Sequence, residues 1–380
     1  MDKLASNRLS GIGEYYFSQK LREIDELKKQ GRDIINLGIG SPDLAPPDAV
    51  KKALVKGLED PQFHKYQSYK GIPELREAFA QWYQRHYSVD LNPDKEVLPL
   101  IGSKEGIMHI CMAFLNEGDK VLIPNPGYPT YSAAVKLAGG EPVPYELSDQ
   151  TNYHPQLDKL DTSGIKLMFV NYPHMPTGTA ASDDNFQDIK SFCLENEIIL
   201  INDNPYSFTL TDEPISILKN RSESELVLEL NSLSKSHNMA GWRIGVLAGN
   251  ESLVEKALFF KSNMDSGMFK PLQIAAVEAL SQPDSWYSSI NLEYQKRKDL
   301  VIEIADKLGC MYRKNQVGMF LWARIPEGEK SGKEYADKIL NEYDFFIPPG
   351  MIFGSAGDQF VRFSLCSNEE ILKEVIRRIS

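Results

Sequence analysis

Residues 166–202 read KLMFVNYPHMPTGTAASDDNFQDIKSFCLENEIILIN. Two apolar strand-like runs, KLMFVN (166–171) and EIILIN (197–202), stand at its ends, with a helical pattern between them. Parallel strands can be joined only by a long crossover, and strands covered on both faces are apolar nearly throughout. Working outward, the same alternation recurs. Helical periodicity runs through 47–59 and 73–87, the second opening on Pro73, a residue suited to a first helical position. Further strand-like runs stand at 97–101, 119–123, 141–145, 226–231 and 244–248. The expectation is an α/β fold whose mainly parallel seven-stranded sheet is flanked by helices.

The pattern changes near residue 285. A long amphipathic helix over roughly 286–308 precedes strands near 319–324, 344–348 and 360–365, and a closing helix follows. This describes a smaller α+β unit. The first forty residues are expected to join it, because INLGIGSPD (35–43) reads as a strand entering a tight turn. The expected division is 1–39 and 286–380 for the small unit and 40–285 for the large one.

The chain has 380 residues, 42% of them hydrophobic, enough for a large core and about two domains. No run approaches the roughly 20 apolar residues of a membrane-spanning helix. The opening MDKLASNRLSG lacks the apolar centre of a secretory signal, so a cytoplasmic protein with no membrane partner is expected. Cys111, Cys193, Cys310 and Cys366 lie far apart without a CxxC pair, which argues for buried free thiols and against a metal site. A net charge of −11 argues against nucleic acid as a partner.

Three motifs carry chemistry. In NSLSKSHNMAGWRIG (231–245), a lysine in a serine-rich loop is ordinarily a solvated side chain. Here Ser232, Ser234 and Arg243 can all reach one phosphate, and Lys235 among them can form an imine with a carbonyl on the same molecule. A small molecule bearing both groups is pyridoxal phosphate. GSKEGI (102–107) opens a helix after an apolar strand, where free N–H groups and the helix dipole hold anions, although ordinary helix caps look the same. INDNPY (201–206) closes another apolar strand. Asp203 there is either a turn former or the carboxylate that keeps a pyridine nitrogen protonated, with Tyr206 in reach of the phenolic oxygen.

Taken together, these motifs resemble the class I/II aminotransferase family of fold-type I pyridoxal-phosphate enzymes, along essentially the whole chain. The likeness is carried by INLGIGSPD (35–43), YQSYKGIPELREA (66–78), GSKEGI (102–107), PNPGYPTY (124–131), NYPHMPTG (171–178), INDNPY (201–206), SLSKSHNMAGWRIG (232–245) and FVRFSL (360–365), in family order. GSKEGI and NMDSG (263–267) are similar to the LL-diaminopimelate and aspartate aminotransferase-like branch. The resemblance implies Lys235 as the Schiff-base lysine, Asp203 as partner of the pyridine nitrogen and Tyr206 as donor to the phenolic oxygen. It implies Ser103 and Lys104 as backbone donors to the phosphate, with side-chain contacts from Ser232, Ser234 and Arg243. Tyr128 would stack on the ring, and Tyr66 would reach the phosphate from the neighbouring subunit of a homodimer. Arg362 would grip the substrate α-carboxylate, with a backbone contact from Gly38. His237 is read as structural.

The sequence departs from the family at one place. Met175 stands where relatives carry asparagine, and a thioether cannot donate a hydrogen bond to the phenolic oxygen. The implied activity is transfer of an amino group from an L-amino acid to a 2-oxo acid by a ping-pong mechanism. A C–S lyase or a non-catalytic cofactor sensor on the same fold are the alternatives. The side-chain pocket is expected from 12–17, Tyr128 and part of 263–270; Lys270 could meet a distal carboxylate there, but a lone lysine is more often solvent-facing. Aspartate, glutamate, LL-diaminopimelate, and aromatic or sulfur amino acids are the candidate donors.

Overall fold

Among the described residues there are twelve strands: β1 (Ile35–Asn36), β2 (Val97–Leu100), β3 (Lys120–Asn125), β4 (Glu141–Glu146), β5 (Ile165–Val170), β6 (Ile199–Asp203), β7 (Val227–Ser232), β8 (Gly245–Gly249), β9 (Met311–Tyr312), β10 (Phe320–Arg324), β11 (Phe345–Phe346) and β12 (Phe360–Ser364). The structure is a computed structural model and describes residues 6–9, 11–14 and 16–380. Seven strands build the central sheet in the order β2-β8-β7-β6-β5-β3-β4. All neighbours pair parallel except β8, which runs antiparallel to both β2 and β7.

The apolar strands are explained by burial on both faces. Leu167 and Phe169 of β5 pack with Ile107, Ile110 and Leu247 on one side, while Met168 and Val170 join Ile189 and Cys193 on the other. Successive side chains of a strand point to opposite faces, so a strand between two helical layers needs apolar residues at every position. The helix Asp183–Glu195 provides one such cover between β5 and β6, and Ser182 caps its start through the Asn185 N–H. All four cysteines are buried and free. Among the described residues no helix is long and apolar enough to cross a membrane.

Strand direction determines where the loops meet. The chain leaves β2, β3, β5, β6 and β7 at the same edge of the sheet, and antiparallel β8 enters from that edge. GSKEGI, PNPGYPTY, NYPHMPTG, INDNPY and SLSKS are therefore brought together with Arg243, which precedes β8. Ligands of open α/β sheets collect beyond the carboxyl ends of the strands for this reason.

The remaining strands form a three-stranded antiparallel sheet, β12-β10-β9, and a parallel pair of β1 with β11. The strands expected near 35–43 and 344–348 shrink to two residues each, because beyond that pairing the backbone turns to other partners. The Ser364 N–H donates to the Leu37 carbonyl at 3.0 Å, and the Arg362 N–H to the Pro348 carbonyl at 3.0 Å. The N-terminal segment is thus stitched to the strand that bears Arg362.

A buried guanidinium completes the junction. Arg297, on the helix Asp284–Lys307, donates to Asp43 Oδ1 at 2.6 Å, Asp43 Oδ2 at 3.2 Å and the Leu365 carbonyl at 3.3 Å. The fork clamps the end of GSPD to the end of β12. Arg297→Met is expected to lower the unfolding free energy in urea by about 3 kcal/mol, with Arg297→Lys in between because it keeps the charge and loses the fork. A loss under about 1 kcal/mol, the worth of a surface pair, would mean that backbone pairing alone holds the segment.

Candidate active site

The loops at the sheet edge enclose a cavity of about 450 Å³. It is lined by Gly38, Ser103, Lys104, Tyr128, Asp203, Tyr206, Ser232, Ser234, Lys235, Arg243 and Arg362, so eleven of the twelve residues singled out from the sequence share one space. The twelfth, Tyr66, is 91% exposed and lies outside it.

One part of the lining is built to meet an anion. The twelve-residue helix Ser103–Phe114 starts at the cavity, with Gly102 before it at φ 84°. A Cβ on Gly102 would sit 2.2 Å from Nη2 of Arg243, so glycine is required both by the left-handed backbone and by the guanidinium alongside. Arg243 itself takes φ 55°, a conformation that non-glycine residues adopt seldom, and its Nη1 donates to the Ala240 carbonyl at 2.8 Å. Ser232 Oγ donates to Ser234 Oγ at 2.7 Å and lies 3.1 Å from the Ile244 carbonyl, tying β7 to the approach of β8.

Asp203, the last residue of β6, is buried. Tyr131 donates its hydroxyl to Oδ2 at 2.9 Å, and Oδ1 is buried with no hydrogen-bond partner. Burial pushes this carboxyl up to about 7, against the opposing effect of the Tyr131 hydrogen bond. Asn171 supports the strand end from behind, donating to the Asp203 carbonyl and accepting from the Met175 N–H at 2.9 Å.

Lys235 follows β7 in a short helical turn, and its Nζ donates to the Gly40 carbonyl. Burial lowers the pKa of this amine, and Arg362 and Arg243 nearby act in the same direction. Arg362, in β12, donates from Nη2 to the Gly38 carbonyl at 2.8 Å and from Nη1 to the Met175 sulfur at 3.4 Å. The residue that replaces the family asparagine is therefore a neighbour of the guanidinium. Tyr206 is buried with its ring edge-on to Phe320, 5.9 Å between centres, and burial raises its hydroxyl pKa.

Two expectations need correction. Of the described residues in 12–17 only Phe17 lines the cavity; Tyr15 is outside the described residues. No residue of 263–270 reaches it. That segment packs against the Tyr66 loop instead: a Cβ on Gly267 would lie 2.7 Å from the Gln67 carbonyl, and Lys270 Nζ sits 4.1 Å from the centre of the Phe63 ring. Lys270 is engaged by an aromatic face and does not line the cavity. His237 is buried between Ser236 Oγ at 2.9 Å and the Tyr287 hydroxyl at 3.3 Å, consistent with a structural residue.

Sequence reasoning also missed residues. Tyr131 lies three positions after Tyr128 inside the quoted PNPGYPTY motif; its N–H donates to the Tyr128 carbonyl at 3.1 Å, and the two rings meet edge to face, 5.6 Å between centres. Asn171 opens NYPHMPTG and had the same signal. Leu21, Phe320 and Phe353 also line the cavity, and nothing local in the sequence distinguishes them from core residues.

A family model described as aminotransferase class I and II matches residues 32–379. An LL-diaminopimelate aminotransferase of Halothermothrix orenii is 37% identical over 379 residues, covering 98% of this chain and 97% of the relative. That of Oleidesulfovibrio alaskensis is 39% identical over 381 residues, covering 99% and 98%. Among solved structures, substrate-bound BacF of Bacillus subtilis matches with a TM-score of 0.94 at 35% identity, over 100% of this chain and 97% of that one.

The Asp203 carboxyl gives a pH test of the ligand-free protein. Its folded value of about 7 lies above the roughly 4 of an unfolded chain. The folded state then keeps a proton that the unfolded chain releases between those values, so this group's contribution falls as pH rises from about 4 to about 7. The unfolding free energy of the wild type relative to Asp203→Asn is expected to decline across that window. A flat difference would show that the carboxyl is not perturbed.

Proposed function

Since the chain belongs to the class I and II aminotransferases, and so catalyses amino-group transfer, we propose that pyridoxal 5′-phosphate is its cofactor and that one cavity serves both halves of the transfer, from an L-amino acid to a 2-oxo acid. The observation that carries this reading is the pairing, in one cavity, of a buried lysine amine with a buried carboxylate whose Oδ1 has no partner. An unpartnered buried carboxylate oxygen is costly and calls for a donor. A protonated pyridine nitrogen is such a donor, and its charge would bring the Asp203 carboxyl back to the ionised form.

The rest of the lining fits the same group. Ser103 and Lys104 would hold its phosphate through the N–H groups of the helix start, and Ser232, Ser234 and Arg243 through their side chains. Tyr128 would lie against the ring, and Tyr206 would donate to the phenolic oxygen. When bound, the cofactor supplies a carbonyl carbon with which amines condense and a ring that takes up negative charge from the substrate Cα.

The chain's own residues do the remainder. Arg362 binds the α-carboxylate, and its contacts with the Gly38 carbonyl and the Met175 sulfur set the direction of the fork. Lys235 Nζ takes the Cα proton of the amino acid so held; burial favours the neutral amine that this task requires. Asp203, oriented by the Tyr131 hydroxyl, holds a proton at the ring nitrogen. Residues 40–285 then form the cofactor-holding unit, and 1–39 with 286–380 the unit that bears Arg362. Tyr66, exposed in the loop that meets Gly267, would reach the phosphate of a second copy in a homodimer.

Protein loaded with pyridoxal phosphate is expected to show a visible absorption band that Lys235→Ala lacks and that amino acids bleach with no oxo acid added. Two-substrate initial rates should give parallel lines. A band that no amino acid alters, or release of ammonia and an oxo acid with no acceptor present, would sink the two-stage transfer. Met175→Asn, by adding a donor near the phenolic oxygen, is expected to lower the pH at which the band changes by roughly one unit, the scale of one hydrogen bond. An unchanged value would mean that the thioether is not the cause of a weaker contact there.

A further inference from the structure

A buried cluster of charges stands at the first turn of the Ser103 helix. Lys261, in the last turn of the helix Glu251–Ser262, is fully buried, and its Nζ lies 3.4 Å from Glu105 Oε1 and in contact with Asp265 Oδ2. Each carboxylate uses its second oxygen on a backbone N–H. Glu105 Oε2 accepts from the Ile101 N–H, directly before Gly102, and Asp265 Oδ1 accepts from the Gly267 N–H at 3.0 Å. His109, one turn on from Glu105 and buried, brings Nε2 to 3.1 Å from Glu105 Oε1 and its ring to 5.4 Å from that of Phe260. Burial alone would raise the Glu105 carboxyl, but His109, Lys261 and the Ile101 N–H hold it down at about 2, so it stays ionised.

The other end of the cluster reaches the Tyr66 loop. A Cβ on Gly267, at φ 85°, would lie 2.7 Å from the Gln67 carbonyl oxygen and 2.8 Å from that of Ser68, so the backbone after Asp265 rests directly on that loop. Gln273 makes a second tie there, donating from Nε2 to the Met268 carbonyl at 2.6 Å and accepting from the Ile72 N–H at 2.8 Å. We propose that Lys261 is a positioning residue of the transfer: one ammonium, through two carboxylates, fixes the backbone that meets the cofactor phosphate to the loop that carries Tyr66. The inference rests on the cofactor reading above and adds how its phosphate cradle is held. Keeping an ammonium out of water is costly unless its carboxylates stay on it. Both of these carboxylates are anchored to backbone N–H groups, so displacing either segment pulls its carboxylate off the shared lysine. In a homodimer the same ion would set the phosphate donors of its own site and the Tyr66 hydroxyl of the second copy's site.

Pyridoxal, which has the same carbonyl and no phosphate, separates positioning of the phosphate donors from a general loss of structure. Lys261→Met, of similar length and without charge, is expected to weaken binding of pyridoxal phosphate by ~10-fold or more while pyridoxal changes by less than ~2-fold. Lys261→Arg, which keeps the charge, should recover most of that loss. Asp265→Asn leaves Lys261 paired with Glu105 and serves where Lys261→Met does not fold. It should weaken pyridoxal phosphate by roughly 3-fold, again with pyridoxal little changed, and speed amide hydrogen exchange in residues 66–72. Equal weakening of the two aldehydes, an unchanged affinity for pyridoxal phosphate, or exchange in 66–72 that matches the wild type would overturn the inference and leave the cofactor reading intact. A wild type that forms an absorption band with neither aldehyde would instead remove the cofactor reading, and this inference with it.

Discussion

The carboxylate of Asp203 is the constraint around which the site is arranged. It sits at the end of a central strand, one oxygen held by Tyr131 and the other buried without a partner. A protein is only marginally stable, so a buried polar atom without a partner persists only where the surroundings cannot relax to relieve it. They cannot here, because Asp203 ends a strand paired on both sides and its carbonyl is held by the Asn171 amide. The ring of Tyr131 stacks on Phe169, 5.0 Å between centres, which fixes the hydroxyl that feeds Oδ2. Rigidity in the sheet keeps Oδ1 from turning to a protein donor.

Strand polarity supplies the other half of the arrangement. Five parallel strands deliver their outgoing loops to one edge, so residues separated by more than a hundred positions become neighbours without long loops. Antiparallel β8 is the exception with a consequence: its incoming end is at that same edge, so Arg243 stands beside Gly102. Had β8 run parallel to β7, the residue before it would have lain at the opposite edge of the sheet.

The small antiparallel sheet brings the guanidinium. Arg362 belongs to β12, whose backbone bonds to Leu37 and Pro348 keep the N-terminal segment, and with it the Gly38 carbonyl, against the arginine. Arg297 secures the same junction through Asp43 and Leu365. A cation enclosed by Phe320, Phe353 and Phe17 retains favourable contact with ring faces while part of its hydration is lost. The aromatic setting therefore supports the arginine.

The seven-stranded sheet was legible because its signal is local: a strand buried on both faces needs apolar residues in succession, and this is visible within six residues. Most of the residues that line the cavity were legible because they stand in short motifs at strand ends, and Arg362, inside β12, because of the motif FVRFSL. The short strands β1 and β11 were overestimated, since their length depends on partners far along the chain. Phe320 and Phe353 are indistinguishable in sequence from core aromatics, and Arg297 from any helical charge, its partner Asp43 being 254 positions away. The segment 263–270 looked like a pocket wall and packs on the Tyr66 loop instead. The sequence by itself determined the sheet and the identity of the chemical groups, because periodicity and motif are written over a few residues. Only the tertiary structure decided which apolar side chains surround Arg362 and which oxygen of Asp203 is left unmet, because those depend on distances between segments that have no local trace.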